Sequence, residues 1–87
     1  SLENLINYLY KLVYPLIYKV VDEKASKYVV TEQDKKFIAD FYKYALVNVV
    51  LEWIKNDMKD DYKIIVEKVS VLLKGTINQA LINLKRN

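Results

Sequence analysis

Histidine and cysteine are both absent, so the chemistry open to this chain rests on eight tyrosines, one tryptophan and eleven carboxylates. That excludes imidazole bases, thiolate nucleophiles, disulfides and nearly every zinc or haem site. No glycine-rich phosphate loop is present, and no pair of carboxylates can be placed in a shared pocket from spacing alone. We therefore expect no catalytic residue, no cofactor and no enzyme. Asp57, Asp60 and Asp61 crowd together, but they lack the glycine and the bidentate glutamate of a calcium-binding EF-hand loop. Capping a helix start is a sufficient explanation for them, and no metal site is expected.

Recognition is the chemistry that remains. Tyr10, Tyr14 and Tyr18 fall at i, i+4 and i+8, one stripe of a helix. Such a stripe either packs in a core with its hydroxyls at the rim, or walls a small-molecule pocket with aromatic faces and a few polar tips. Eight tyrosines against two phenylalanines tilt towards the pocket, because a buried hydroxyl needs a partner. Tyr44, Asn48 and Glu52 form a second line at the same spacing on a rod that is otherwise apolar. It is either the solvated face of that rod or a set of groups that orient a ligand. With Phe41, these two lines give the candidate ligand pocket: Tyr10, Tyr14, Tyr18, Phe41, Tyr44, Asn48 and Glu52.

The elements that must position these residues are helices. One glycine and one proline in the whole chain leave too little turn chemistry for a sheet of several hairpins. Leu2, Ile6, Leu9, Val13, Leu16 and Val20 mark one face, and Pro15 interrupts it. The expectation is two helices, about 2–13 and 15–25, meeting at an angle. Thr31 is placed to cap a third helix running from 32 to about 57, with Asp34 three residues on. Asp60 or Asp61 caps a fourth, from about 62 to 85. The fold class is all-α: a bundle of two short N-terminal and two long C-terminal helices in a single domain, 1–87.

A chain of 87 residues buries only roughly 60–65% of the surface it exposes unfolded, so stability in isolation is marginal. Without disulfides or a metal, a partner subunit is the remaining support. The third helix from Tyr44 to Ile54 carries only Asn48 and Glu52 as polar residues, and a helix apolar all round is enclosed by others. On the fourth, Ile64, Lys68, Val71, Gly75, Asn78 and Ile82 form a second seam at heptad spacing. Gly75 inside a helix costs about 1 kcal/mol against alanine, which the close approach of another helix would repay. The candidate interface is Val47, Val50, Ile54, Ile64, Val71, Gly75, Asn78 and Ile82, and a homodimer joined by a four-helix bundle of the two long helices is expected. The net charge of +3 comes from scattered lysines, which do not make a nucleic-acid footprint. No run of about 18 apolar residues spans a membrane, and the lysines do not gather opposite an apolar stripe as in a membrane-surface helix.

The run from Phe37 to Lys59 resembles a known pattern. Phe41, Tyr42, Tyr44, Ala45 and Leu46 match an aromatic segment that leads through small and branched residues to a tryptophan, here Trp53. A polar turn and a last long helix follow, with Met58 and Ile64 to Leu73 in place. This is similar to the C-terminal regulatory domain of TetR-family transcriptional regulators, of the type common in Firmicutes. Asn48 and Asp57 stand where that pattern has glycine. The resemblance implies a cytoplasmic homodimer whose C-terminal helices form the dimer and hold a small-molecule effector. It also implies an N-terminal helix-turn-helix that binds operator DNA. That head is not in this chain, whose first residue, Ser1, is read as a cloning scar or a cut point, so DNA is expected to be bound only through the absent part. The competing expectation is a ligand-free helical protein–protein interaction module.

Overall fold

The Ser1 hydroxyl accepts a hydrogen bond from the Asn4 amide at 3.3 Å and opens helix α1, Leu2–Ala25. A computed structural model describes residues 1–87 and contains three further helices and no strand: α2 Glu32–Lys55, α3 Tyr62–Leu73 and α4 Thr76–Leu84. α1 is one helix where the proline suggested two. Pro15 and Lys11, the residue whose carbonyl loses its donor, both lie on the exposed side of α1, where water can take the donor's place.

The cap on α2 is the one the sequence offers. Thr31 Oγ1 accepts from the Asp34 amide at 3.1 Å, with Glu32 and Asp34 in the first turn against the positive end of the helix dipole. At the other end the Met58 amide donates to the Trp53 carbonyl at 2.9 Å and the Asp57 amide to the Ile54 carbonyl at 3.0 Å. That pair of bonds is a Schellman ending, and it requires a left-handed residue after the cap. Asp57 fills that position at φ +60°, followed by Met58 at +55°. Trp53 Nε1 then donates to the Asp60 carbonyl at 2.8 Å and folds the connection back on α2. Asp61 caps α3 by accepting from the Lys63 amide at 2.9 Å.

The single long helix expected over 62–85 is broken in two. Helix α3 stops at Leu73, Gly75 takes φ +76°, and the Thr76 hydroxyl donates to the Leu73 carbonyl at 3.0 Å as α4 begins. No atom stands within 4 Å of where a Gly75 Cβ would lie. Within the chain the glycine serves the left-handed turn. The two long helices are N-terminal and the two short ones C-terminal, the reverse of the expected order.

α1 and α2 form an antiparallel pair, and α4 lies against the end nearest their connection. Val21, Ala25, Ile38, Ile77 and Leu81 make the core there, with Ile17, Tyr28, Val30, Tyr42 and Ala80 around it. The Tyr28 hydroxyl donates to Asn78 Oδ1 at 3.0 Å, and the Arg86 amide to the Val29 carbonyl at 2.7 Å, fastening the C-terminal end to the α1–α2 connection. Only seven residues of 87 are buried. The molecule measures 47 × 27 × 16 Å along its principal axes, an elongated and flattened shape.

Candidate functional site

Helices α1 and α2 bring Tyr10, Tyr14 and Tyr44 together around a side chain that the tyrosine spacing does not reveal. Lys43 Nζ lies 5.1 Å from the ring centroid of Tyr10, 5.4 Å from that of Tyr14 and 4.4 Å from that of Tyr44. Asp40 Oδ1 is 2.9 Å from the same nitrogen, and the lysine side chain is only 13% exposed. Tyr10 meets Tyr44 edge-on at 5.5 Å. Burial disfavours the charge on Lys43, but the hydrogen bond and negative charge of Asp40 outweigh it and hold the ammonium above the ordinary lysine pKa. Burial, then the charge of Asp40, pushes the Tyr14 hydroxyl up. The tyrosines thus make a cation-holding cage on the seam between the two long helices.

Tyr18 stacks on Tyr14 at 6.1 Å but turns its hydroxyl to Glu32, at the start of α2. Lys35 bridges Asp22 at 2.9 Å and Glu32 at 3.0 Å, so this end of the helix pair is closed by a polar cluster. The hydrogen bond from Tyr18, and then that from Lys35, holds the Glu32 carboxyl below the usual carboxylate value of 4.5.

The other candidate pocket residues lie elsewhere. Phe41 is exposed, meets Tyr42 edge-on at 5.7 Å, and lines a groove of about 220 Å³ between α2 and α3. Its further walls include Leu46, Val49, Val69 and Leu72. Asn48 and Glu52 are exposed and border a hollow of about 370 Å³ with Leu2, Leu5 and Ile6 at the far end of the α1–α2 pair. Asn48 Nδ2 donates to the Tyr44 carbonyl of its own helix at 2.9 Å. The seven residues are therefore distributed over a cage, a polar cluster, a groove and a hollow.

Among the candidate interface residues, Val71 and Ile64 on α3 and Ile82 on α4 are exposed, as are Val50 and Ile54 on α2. Val47 is fully buried within the chain, Asn78 is held inward by Tyr28, and Gly75 forms the turn between α3 and α4. No residue of α3 is buried, and no Cα of α3 comes within 8 Å of one in α1 or α2. The most exposed large apolar side chains include Leu72 at 74% and Val71 at 68%.

Residues 1–75, spanning α1 to the turn after α3, match the family TetR_C_8, described as the transcriptional regulator C-terminal region. The chain belongs to this family of transcriptional regulator domains. Neither a curated protein nor a solved structure matches it. Within the regulator domain no helix is long and apolar enough to cross a membrane, and no three acidic side chains gather to hold a metal ion. The spacing of Asp40 and Lys43 by three residues was a legible ion-pair signal on α2. That Tyr10 and Tyr14 would meet the same lysine depends on how the regulator domain pairs its helices, which no local pattern records.

Proposed function

We propose that this regulator domain joins two copies of its parent protein and couples a small-molecule effector to DNA binding elsewhere in that protein. The observation that carries the dimer is α3: a helix with no buried residue, on which Ile64, Val66, Val71 and Leu72 are all exposed. Domains are built from at least two packed layers around a core, and here only α4 covers the α1–α2 pair, at one end of it. A second copy covering Ile64, Val71 and Leu72 completes the bundle, with Ile82, Val50 and Ile54 as further exposed apolar contacts. The parent protein acts in the cytoplasm through an N-terminal helix-turn-helix on operator DNA.

The effector acts where α1 meets α2. A ligand that favours one setting of α1 against the dimer bundle shifts the DNA-binding equilibrium by its differential affinity for the two states. Tyr10 and Tyr14 on α1 and Tyr44 on α2 lie on that seam, which supports it as the coupling point. Sedimentation velocity at micromolar concentration is expected to show a dimer, and a stable folded monomer would overturn the reading. A thermal-shift screen then tests the effector, since a molecule that binds only the native state raises the midpoint. An intact dimer whose midpoint no small molecule moves would instead be the ligand-free interaction module.

A further inference from the structure

We infer that the tyrosine cage on the α1–α2 seam is a site for organic ammonium ions, and that Lys43 is its tethered occupant. The inference rests on the effector reading and gives the effector a chemical class. An ion pair between Asp40 and Lys43, three residues apart on α2, could form on the surface of that helix alone. Instead the ammonium has three rings within about 6 Å, two from α1 and one from α2, while the Asp40 carboxylate supplies its counter-charge. Several aromatic faces and one carboxylate around a single positive nitrogen are what a methylated ammonium requires. Such an ion sheds its weak hydration readily and has no N–H of its own to satisfy.

A free ammonium brings the same charge to the same place, and Lys43 leaves for water. The lysine gives up its bond to Asp40 but recovers its hydration and the freedom of its long stem, so the exchange costs only part of the ligand's affinity. Asp40 and Tyr44 also line a hollow of about 370 Å³ with Phe37 and Phe41, which are exposed. That hollow gives an apolar tail a path out of the cage. The favoured ligand therefore has an ammonium head and a short apolar or aromatic tail. Because the rings belong to two helices, exchange of a tethered cation for a free one changes what holds α1 to α2.

The test uses the intact chain, with tetramethylammonium and choline as probes and 3,3-dimethylbutan-1-ol as the uncharged analogue of choline. Acylation of Lys43 by a limiting amine reagent, read by mass spectrometry, is expected to rise about tenfold with saturating tetramethylammonium and not with the alcohol. Calorimetry is expected to show Lys43→Met, which keeps the apolar stem, binding choline at least tenfold more tightly than the unaltered chain does. Adding Tyr44→Leu to that variant is expected to abolish the gain. Unchanged Lys43 reactivity, or equal binding of choline and its uncharged analogue, would overturn the cation site. If an uncharged compound raises the thermal midpoint while Lys43 stays protected, the effector reading stands and the cage assignment fails. If choline fills the cage but leaves operator binding by the whole regulator unchanged, the cage stands and the effector reading fails.

Discussion

Three residues hold the chain in left-handed backbone, Asp57 and Met58 after α2 and Gly75 after α3, and they do so with unequal economy. Gly75 adopts φ +76° at no steric cost, whereas Asp57 adopts +60° with a Cβ in place. Replacing Gly75 by alanine should lower unfolding stability by roughly 1–2 kcal/mol, all of it backbone strain because nothing crowds the added methyl. Replacing Asp57 by glycine should raise stability by up to about 1 kcal/mol, since the Schellman ending is kept and the strain removed. Urea midpoints measure both. A Gly75→Ala chain as stable as the original, with more helix by circular dichroism, would mean that α3 and α4 run on as one helix.

Between elements, a polar cluster joins the C-terminal part of α1 to the start of α2. Glu32 accepts from Tyr18 and pairs with Lys35, which also reaches Asp22. Its carboxyl pKa is lower folded than the ordinary 4.5. A group depressed in this way binds protons more readily when unfolded, so its stabilisation is present above about pH 4.5 and lost as pH falls through the lower folded value. The thermal midpoint should therefore decline on acidification in that window, and Glu32→Gln should make the decline shallower. An identical profile for the variant would mean that the cluster contributes nothing to folding. The cap at Thr31 was legible, and that of α3 to one of two aspartates, because a cap depends on the residue's own oxygen and an amide two or three places on. Pro15 and Gly75 were misread in opposite senses for one reason: each has a known cost in a helix, but the packing decides whether that cost arises. The proline lies on the exposed side of α1, and the glycine is not in a helix at all. The candidate site divides the same way. Tyr10, Tyr14 and Tyr44 could be nominated from spacing, while Lys43 among them depended on the pairing of two helices 24 residues long.

At the scale of the molecule the decisive quantity is thickness. The radius of gyration is 14.5 Å, against about 12 Å for a compact domain of this length, and the excess reflects the 47 Å long axis of a molecule 16 Å across its shortest. A layer this thin leaves α3 nothing in its own chain to pack both faces against. Burying a side chain such as valine or leucine contributes about 1.5–3 kcal/mol relative to leaving it exposed. Val71 and Leu72 sit side by side on α3 and occur twice in a two-fold assembly. Replacing both by glutamate should therefore weaken self-association at least 100-fold, because four apolar side chains are lost and four like charges face one another. Sedimentation equilibrium across a concentration series measures this. The substitutions touch no residue buried within the chain, so the helix content of the dilute variant should match that of the unaltered chain at equal dilution. An undiminished dimer would place the interface away from α3. A lower helix content than that of the dilute unaltered chain would mean that Val71 and Leu72 hold their own chain together, and that α3 does not wait for another.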